Sequence, residues 1–420
     1  MLPLPEIQAL TTLSRDGRML FLTRIIRLFA YGFVAVVLGL YLSAVGLSDT
    51  QIGLVLSLTL FGDALISLPI TIVADRLGRR RMLLIGAGLM IFAGVVFALT
   101  NNIALLIITA IIGTISPSGN EVGPFLAIEQ AALPQTTTDK QRTQVFAWYA
   151  LLGSVATGLG SLVGGTVAQI LQNAGQTPLN SYRVVLIGYA LLGGVLGILF
   201  TRLSPTIEIV LAKGPVTLKS LYGLNRSRGV VYKLSLLFMI DAFAGGLVVQ
   251  SLVAVWFNRR FGADPAVIGT IYLGANLFAG LSALAAARVA ARIGLVNTMV
   301  FTHVPSNILL LLVPLMPTLP LAILVLLLRF SISQMDVPTR QSYTVSVVDP
   351  EERSAANGVT NLARTTASAL SPNLTGALFS AGGAWIGVPF LLAGGLKLVY
   401  DFLLYRSFKA IKPPEEQAST

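Results

Sequence analysis

The sequence predicts an all-α membrane protein: twelve transmembrane helices arranged as two pseudo-symmetric six-helix bundles. Three observations carry this prediction. The chain has 420 residues, 55% hydrophobic and only 11% charged, where a soluble domain carries about a quarter charged residues. No single aqueous core would hide so much apolar surface, so lipid must be the solvent. About twelve apolar stretches follow one another, each near the length that crosses a bilayer core of roughly 30 Å as a helix. Landmarks of the first six recur in the last six at common offsets.

The spans run near 19–43, 51–73, 82–100, 103–132, 143–171, 183–203, 229–257, 265–287, 297–313, 320–345, 355–380 and 386–408, each bounded by Gly, Pro, Asn or charge. Between spans 2 and 3 lies Ala74-Asp75-Arg76-Leu77-Gly78-Arg79-Arg80-Arg81, a link too short to be a domain and too basic to be buried. Arginines beside apolar spans belong on the cytoplasmic face. The same side collects Arg15, Arg18, Arg202, Lys213, Lys219 and most other links' cations, whereas the opposite side holds only Arg183, Arg259 and Arg260. An even number of crossings then leaves both termini cytoplasmic. The expectation is a multi-pass protein of the plasma membrane, which is the inner membrane in a bacterial cell.

The link after Ser204 is the longest and most polar. It divides the chain into an N-terminal bundle (1–203), a cytoplasmic linker (204–228) and a C-terminal bundle (229–420) with a short tail. Thr50-Gln51-Ile52-Gly53 opens span 2 and Ala266-Val267-Ile268-Gly269 opens span 8; Asp75-Arg76-Leu77-Gly78 and Ala291-Arg292-Ile293-Gly294 close them at the same offset. Gly160-Ser161-Leu162-Val163-Gly164-Gly165 is echoed by Ser371-Pro372-Asn373-Leu374-Thr375-Gly376. Parallel six-span repeats build transporters whose halves rock about a central site.

Composition also excludes. A net charge of +11 would suggest nucleic acid in a soluble protein. Here the cations sit in short links, where orientation and anionic headgroups account for them, so lipids are the expected partner and nucleic acid is not. No Cys and one His leave no thiolate nucleophile and no cysteine metal site, and no G-x-x-x-x-G-K-[ST] pattern occurs in the sequence, so there is little to build an enzyme or an ATP-driven pump from. Neither metal nor cofactor is expected. The first eighteen residues lack the basic start and apolar heart of a cleavable signal, so they are expected to stay on the chain.

With Asp75, Arg76, Gly78, Arg79, Arg80 and Arg81 between spans 2 and 3, the sequence resembles the major facilitator superfamily over essentially its whole length. Its loop there reads G-x-x-x-D-R-x-G-R-R/K-R/K; Thr71 stands where the first Gly is expected. The resemblance implies the major facilitator fold, and that Asp75 meets the start of helix 11 near Ser354-Ala355-Ala356 as a cytoplasmic latch. Unpaired amides at a helix start attract a carboxylate. Span 5, with Ala156, Gly160, Ser161, Gly164 and Gly165, is similar in weakened form to the family's exporter motif G-x-x-x-G-P-x-x-G-G. The resemblance further implies that helices 1, 4, 7 and 10 line the cavity.

Ionisable groups at bilayer depth face a cavity, pair, or snorkel. Arg24 is placed to snorkel, while Arg27 lies about 12 Å in at ~1.5 Å per residue. Span 4 is interrupted by Ser116-Pro117-Ser118-Gly119-Asn120-Glu121-Val122-Gly123-Pro124, and a broken helix points to a binding site. Glu121 lies in that break and is expected to face Arg27. Asp241 lies about 18 Å into helix 7 with no cation within a turn on its own helix. Desolvation disfavours its charged form, which makes it the first choice for a proton site. Asp336 and Arg340 on helix 10 are four apart on one face, where they can neutralise each other; Arg27, Glu121, Asp241 and Asp336 are the candidate substrate and proton-coupling residues. Two inter-bundle gates are expected, Asp63 with Arg364 and Glu129 with Arg340. Lys397 with Asp401, and the lone His303, read as structural.

The function these readings support is a secondary active transporter, exporting a small organic molecule in exchange for protons by alternating access. Uptake by symport, or uniport, on the same fold is the alternative, because fold does not fix direction. A monomer is the expected assembly.

Overall fold

The computed structural model describes residues 13–136, 142–208 and 226–410. Among them every regular element is a helix. Span 1 is α1 (Arg15–Ala44), followed by α2 (Asp49–Leu77) and α3 (Arg79–Leu99). Span 4 is split into α4 (Ile103–Ile112) and α5 (Phe125–Ala132); α6 (Arg142–Asn173) and α7 (Pro178–Thr201) complete the first six. Span 7 is split into α8 (Arg228–Leu247) and α9 (Gln250–Phe261), followed by α10 (Pro265–Ile293) and α11 (Leu295–Leu312). Span 10 is split into α12 (Leu319–Phe330) and α13 (Asp336–Ser346); α14 (Arg353–Ser380) and α15 (Val388–Phe408) close the order.

Nine of the helical stretches are long and apolar enough to cross a membrane among the described residues. The three other spans have specific reasons for falling short. Spans 4 and 10 are interrupted, leaving only ten- and twelve-residue apolar pieces, and α14 is interspersed with Asn, Thr, Ser and Arg364. Leu99, Leu191, Ile198, Leu236 and Phe402 are exposed on the outer faces. That distribution suits a lipid-solvated membrane protein, in which no apolar side chain gains by hiding from its surroundings.

The chain forms two compact units. The first comprises residues 1–48, 58–213 and 253–273; the second comprises 49–57, 214–252 and 274–420. In the first unit α1 packs on α6 and α7, and α3 on α7. In the second, α8 packs on α14 and α15, and α11 on α15. Counted in spans, these are 1 with 5, 1 with 6 and 3 with 6, against 7 with 11, 7 with 12 and 9 with 12. Each unit therefore repeats the same set of helix pairings.

Small residues make the tightest of these crossings, as packing without a hydrophobic drive requires. In the second unit a Cβ on Gly53 would lie 2.5 Å from the Pro372 carbonyl oxygen, and one on Gly376 would lie 2.4 Å from that of Asp49. In the first unit a Cβ on Gly165 would lie 2.0 Å from the Pro265 oxygen, and one on Gly269 would lie 2.5 Å from that of Ser161. These are the glycines that recur between the halves of the sequence. The backbone amide of Asn373 donates to Ser57 Oγ at 2.9 Å beside the Gly53 crossing.

The basic link between spans 2 and 3 is shorter than its sequence suggests. Helix α2 runs to Leu77 and α3 begins at Arg79, so Gly78 alone joins them, at a φ of 103° that favours glycine. Asp75 and Arg76 are the last turn of α2; their side chains, like that of Ser354, lie outside the described residues. Arg79 is buried, against the expectation for so basic a link. Its guanidinium donates to the carbonyls of Ala131 and Ile207 at 3.2 Å each, whereas Arg81 is exposed. Three arginines at a helix start oppose the macrodipole. Glu208 answers them, accepting from the Arg79 amide at 2.6 Å and the Arg80 amide at 3.1 Å.

Candidate functional site

The break in span 4 organises the first unit's interior. Between Gly113 and Pro124 the backbone leaves the helix, with Gly119 and Gly123 at positive φ. Irregular backbone at membrane depth needs partners from neighbouring elements. Tyr31 on α1 donates to the Val122 carbonyl at 2.9 Å, Tyr189 on α7 to that of Thr114 at 2.7 Å, and Ser116 to that of Asn120 at 2.8 Å. Asp63 on α2 accepts from the Gly123 amide, and from Ser67 at 3.0 Å.

This break carries Glu121 to the face of α1. Arg24 Nη1 donates to Glu121 Oε1 at 2.5 Å, and Arg27 reaches the same carboxylate through Nε at 3.1 Å and Nη2 at 3.0 Å. Arg27 also forms two parallel bonds of 2.7 Å to Glu129 on α5. Glu129 further accepts from Thr23 at 3.2 Å and from the Tyr149 hydroxyl. Arg24 does not snorkel: it is buried, bonded through Nε to the Tyr149 carbonyl at 2.7 Å, with its guanidinium 4.1 Å above the Tyr149 ring. The reason is chemical, because the Glu121 carboxylate, the Tyr149 carbonyl and the Tyr149 ring face solvate the Arg24 guanidinium better than a stretched side chain would. The Phe125 ring lies 4.8 Å from the Arg27 guanidinium. Two cations and two carboxylates thus balance, with Glu121 retaining 14% side-chain exposure and Glu129 none.

The second unit answers with the signs exchanged. Helix α8, the first part of span 7, carries an acid, Asp241, and the helix after the break in span 10, α13, carries the base Arg340. Arg340 Nη1 donates to Asp241 Oδ2 and to Asp336 Oδ2, both at 3.0 Å. Lys397 on α15 donates to Asp241 Oδ1 at 2.5 Å. Asp241 is therefore not an isolated acid: its cations come from other helices, which a search along its own helix misses. Lys397 is four residues from Asp401, but the bond it makes is to Asp241. Asp401 instead accepts from Asn307 at 2.9 Å and meets His303 Nδ1 at 2.8 Å.

Of the expected pairs, the structure brings together Arg27 with Glu121 and Asp336 with Arg340. Asp63 and Arg364 belong to different units, as do Glu129 and Arg340; Asp63, Glu129 and Arg340 each find the partners just named inside their own unit. Sequence reasoning missed Tyr149, Lys397 and Glu208 as partners of the charged groups. No trio of His, Asp or Glu is arranged to hold a metal ion among the described residues.

Known proteins share this architecture. An uncharacterized membrane protein of Saccharomyces cerevisiae is 29% identical over 427 residues, covering 95% of each chain. Among solved structures, a nucleoside transporter superposes with a TM-score of 0.72 at 17% identity, covering 94% of this chain and all of the other. A bacterial homolog of the human lysosomal transporter Spinster, inward-facing and unoccupied, superposes with a TM-score of 0.72 at 16% identity, covering 94% and 97%. At such identities the likeness shows the fold. The sequence profile of the Major Facilitator Superfamily matches residues 20–255 and 234–420. Both halves are thereby accounted for, and the chain belongs to the Major Facilitator Superfamily, a family of membrane transporters and not of enzymes.

Proposed function

We propose that this protein exports a small, partly hydrophobic organic molecule in exchange for protons, by alternating access. The observation that supports this reading is the Arg24–Arg27–Glu121–Glu129 cluster at the break in span 4. Ionisable groups at membrane depth are costly and are kept for function, and Glu121 is the acid of this cluster that retains exposure. A proton arriving there cancels the charge that holds Arg24 and one edge of Arg27, while Glu129 keeps Arg27 in place. The cluster changes from neutral to singly positive, and two states that solvate that charge differently are biased by proton occupancy.

Asp241 is the corresponding acid of the second unit. Protonation there releases Lys397, whereas Arg340 remains paired through Asp336. We assign export on the small-residue pattern of α6, and place both termini in the cytoplasm of a plasma-membrane protein on the distribution of Lys and Arg between links. The substrate is sought first by thermal stabilisation of the purified chain across drugs, nucleosides, sugars and metabolites. Flux of the best ligand is then followed in inverted vesicles under an imposed pH gradient. Accumulation driven by an acidic lumen and lost in Glu121→Gln is the expected result. Flux indifferent to the gradient would leave a uniporter, and the opposite dependence a symporter.

A further inference from the structure

The only histidine of the chain lies in the second unit, where α8, α11 and α15 meet along a buried polar seam. His303 and Asp401 are both buried, with Nδ1 and Oδ1 2.8 Å apart. Asn307, one turn along α11, donates to the other oxygen of Asp401 at 2.9 Å. His303 Nδ1 also lies 3.2 Å from Asn307 Nδ2; against an ionised carboxylate, which only accepts hydrogen bonds, the Nδ1–H tautomer is the one that bonds Asp401. Nε2 is left with a bare lone pair, 3.9 Å from Asp241 Oδ1. Lys397 binds that same oxygen.

Two lone-pair atoms facing one another at that separation gain nothing, and a proton between them converts the contact into an ion pair. Within the bonded seam three carboxylates, Asp241, Asp336 and Asp401, face two cations, Arg340 and Lys397, which favours an imidazolium there. Arg329 on α12 and Arg364 on α14 oppose it. They act on Asp241 and Asp336, and among the described residues neither hydrogen-bonds His303 or Asp401. Tyr400 on α15 presents its ring edge-on to the imidazole at 5.9 Å, and Tyr343 on α13 is turned to Phe408; neither supplies charge. Ser306 Oγ and Asn307 Oδ1 are buried beside His303 without a hydrogen-bond partner among the described residues. Buried polar atoms of this kind are satisfied by water, the carrier a proton needs.

We propose that His303 and Asp401 form a second proton-binding site, in which a proton taken from water on Nε2 draws Asp241 Oδ1 away from Lys397. The site stands on its own geometry; only its consequence for transport rests on the proton coupling proposed above. The new N–H bond is matched by one O–H bond broken in a hydronium ion, which is left as water, and Asp241 exchanges one cationic partner for another.

A single histidine gives a single imidazole signal. The full-length chain, labelled with 15N-histidine and held in detergent, is titrated from pH 5 to 9 by NMR, with His303→Gln as the assignment control. The expected spectrum shows the Nδ1–H tautomer at high pH and imidazolium at low pH. Asp241→Asn should move the midpoint down by about one pH unit, as loss of a neighbouring anion does. Lys397→Gln should move it up, and serves if Asp241→Asn does not fold. An imidazole in one protonation state throughout, or midpoints unmoved by the variant that folds, would overturn the site. A protein whose His303 titrates as stated but whose substrate flux ignores protons overturns the coupling and leaves the site standing.

Discussion

Arg27 and Glu129 face one another fork to fork: Nη1 to Oε1 and Nη2 to Oε2 are both 2.7 Å, and neither side chain has exposed surface. A buried pair of this geometry is most sensitive to losing one partner, which strands the other charge; the cost is about 3–5 kcal/mol. Glu129→Gln should therefore lower the unfolding temperature in detergent markedly. Arg27→Lys keeps the charge but loses the planar fork, and should fall between wild type and Glu129→Gln. Equal unfolding temperatures across the three would contradict the pairing.

Glu121 shares Arg27 with Glu129, but its partial exposure gives the opposite expectation. Glu121→Gln keeps a hydrogen-bonding oxygen for Arg24 and leaves Arg27 its buried partner, so the variant should fold with a loss of about 1.5–3 kcal/mol, the worth of a hydrogen bond to a charged group. Its substrate flux should no longer follow a pH gradient. Thermal unfolding and vesicle flux, measured on one preparation, separate the two effects.

The Gly53–Gly376 crossing has no room for a side chain. Gly53→Val and Gly376→Val should each cost about 1–3 kcal/mol through overpacking and reduce transport, measured by unfolding temperature and flux. Gly88 has nothing within 4 Å of a built Cβ. Gly88→Val should be close to neutral in both assays.

Glu208 is the remote cap of α3. Glu208→Ala should cost about 0.5–2 kcal/mol, the worth of a helix cap. Glu208→Gln should cost less, keeping an acceptor while losing the charge that opposes three arginines. Amide hydrogen exchange at Arg79 and Arg80 reads this directly: faster exchange in both variants, fastest in Ala, is the expected order.

What could be read in advance follows from what leaves a mark on sequence. The break at 116–124 showed in its prolines and glycines, and the repeat showed in Gly53, Gly269, Gly165 and Gly376, because those residues do work that only small or helix-breaking residues can do. Arg27 with Glu121 was legible because a charge in an apolar span has few options. The partners Lys397, Tyr149 and Glu208 were not legible. Most of these helices are apolar all round, so no stripe reveals which side meets which neighbour. Counting along one helix therefore set Asp401 opposite Lys397 and left Asp241 alone, whereas the fold gives Lys397 to Asp241. Glu129 is answered by Arg27 on span 1 and Arg340 by Asp241 on span 7, each an opposite charge inside its own unit.

The separation of these charges along the chain bears on how the protein is made. Arg27 precedes Glu121 by 94 residues and Glu129 by 102. At ribosomal speeds of ~5–20 residues per second, roughly 5–20 s pass before its counter-ions exist. Asp241 waits 99 residues for Arg340 and 156 for Lys397. The opening helix of each half must therefore linger near the insertion machinery or the headgroups, unable to settle in hydrocarbon until a later hairpin arrives. Quality control during biogenesis is then where loss of Glu129 or Lys397 should be felt first, as nascent chains removed before they are ever assembled.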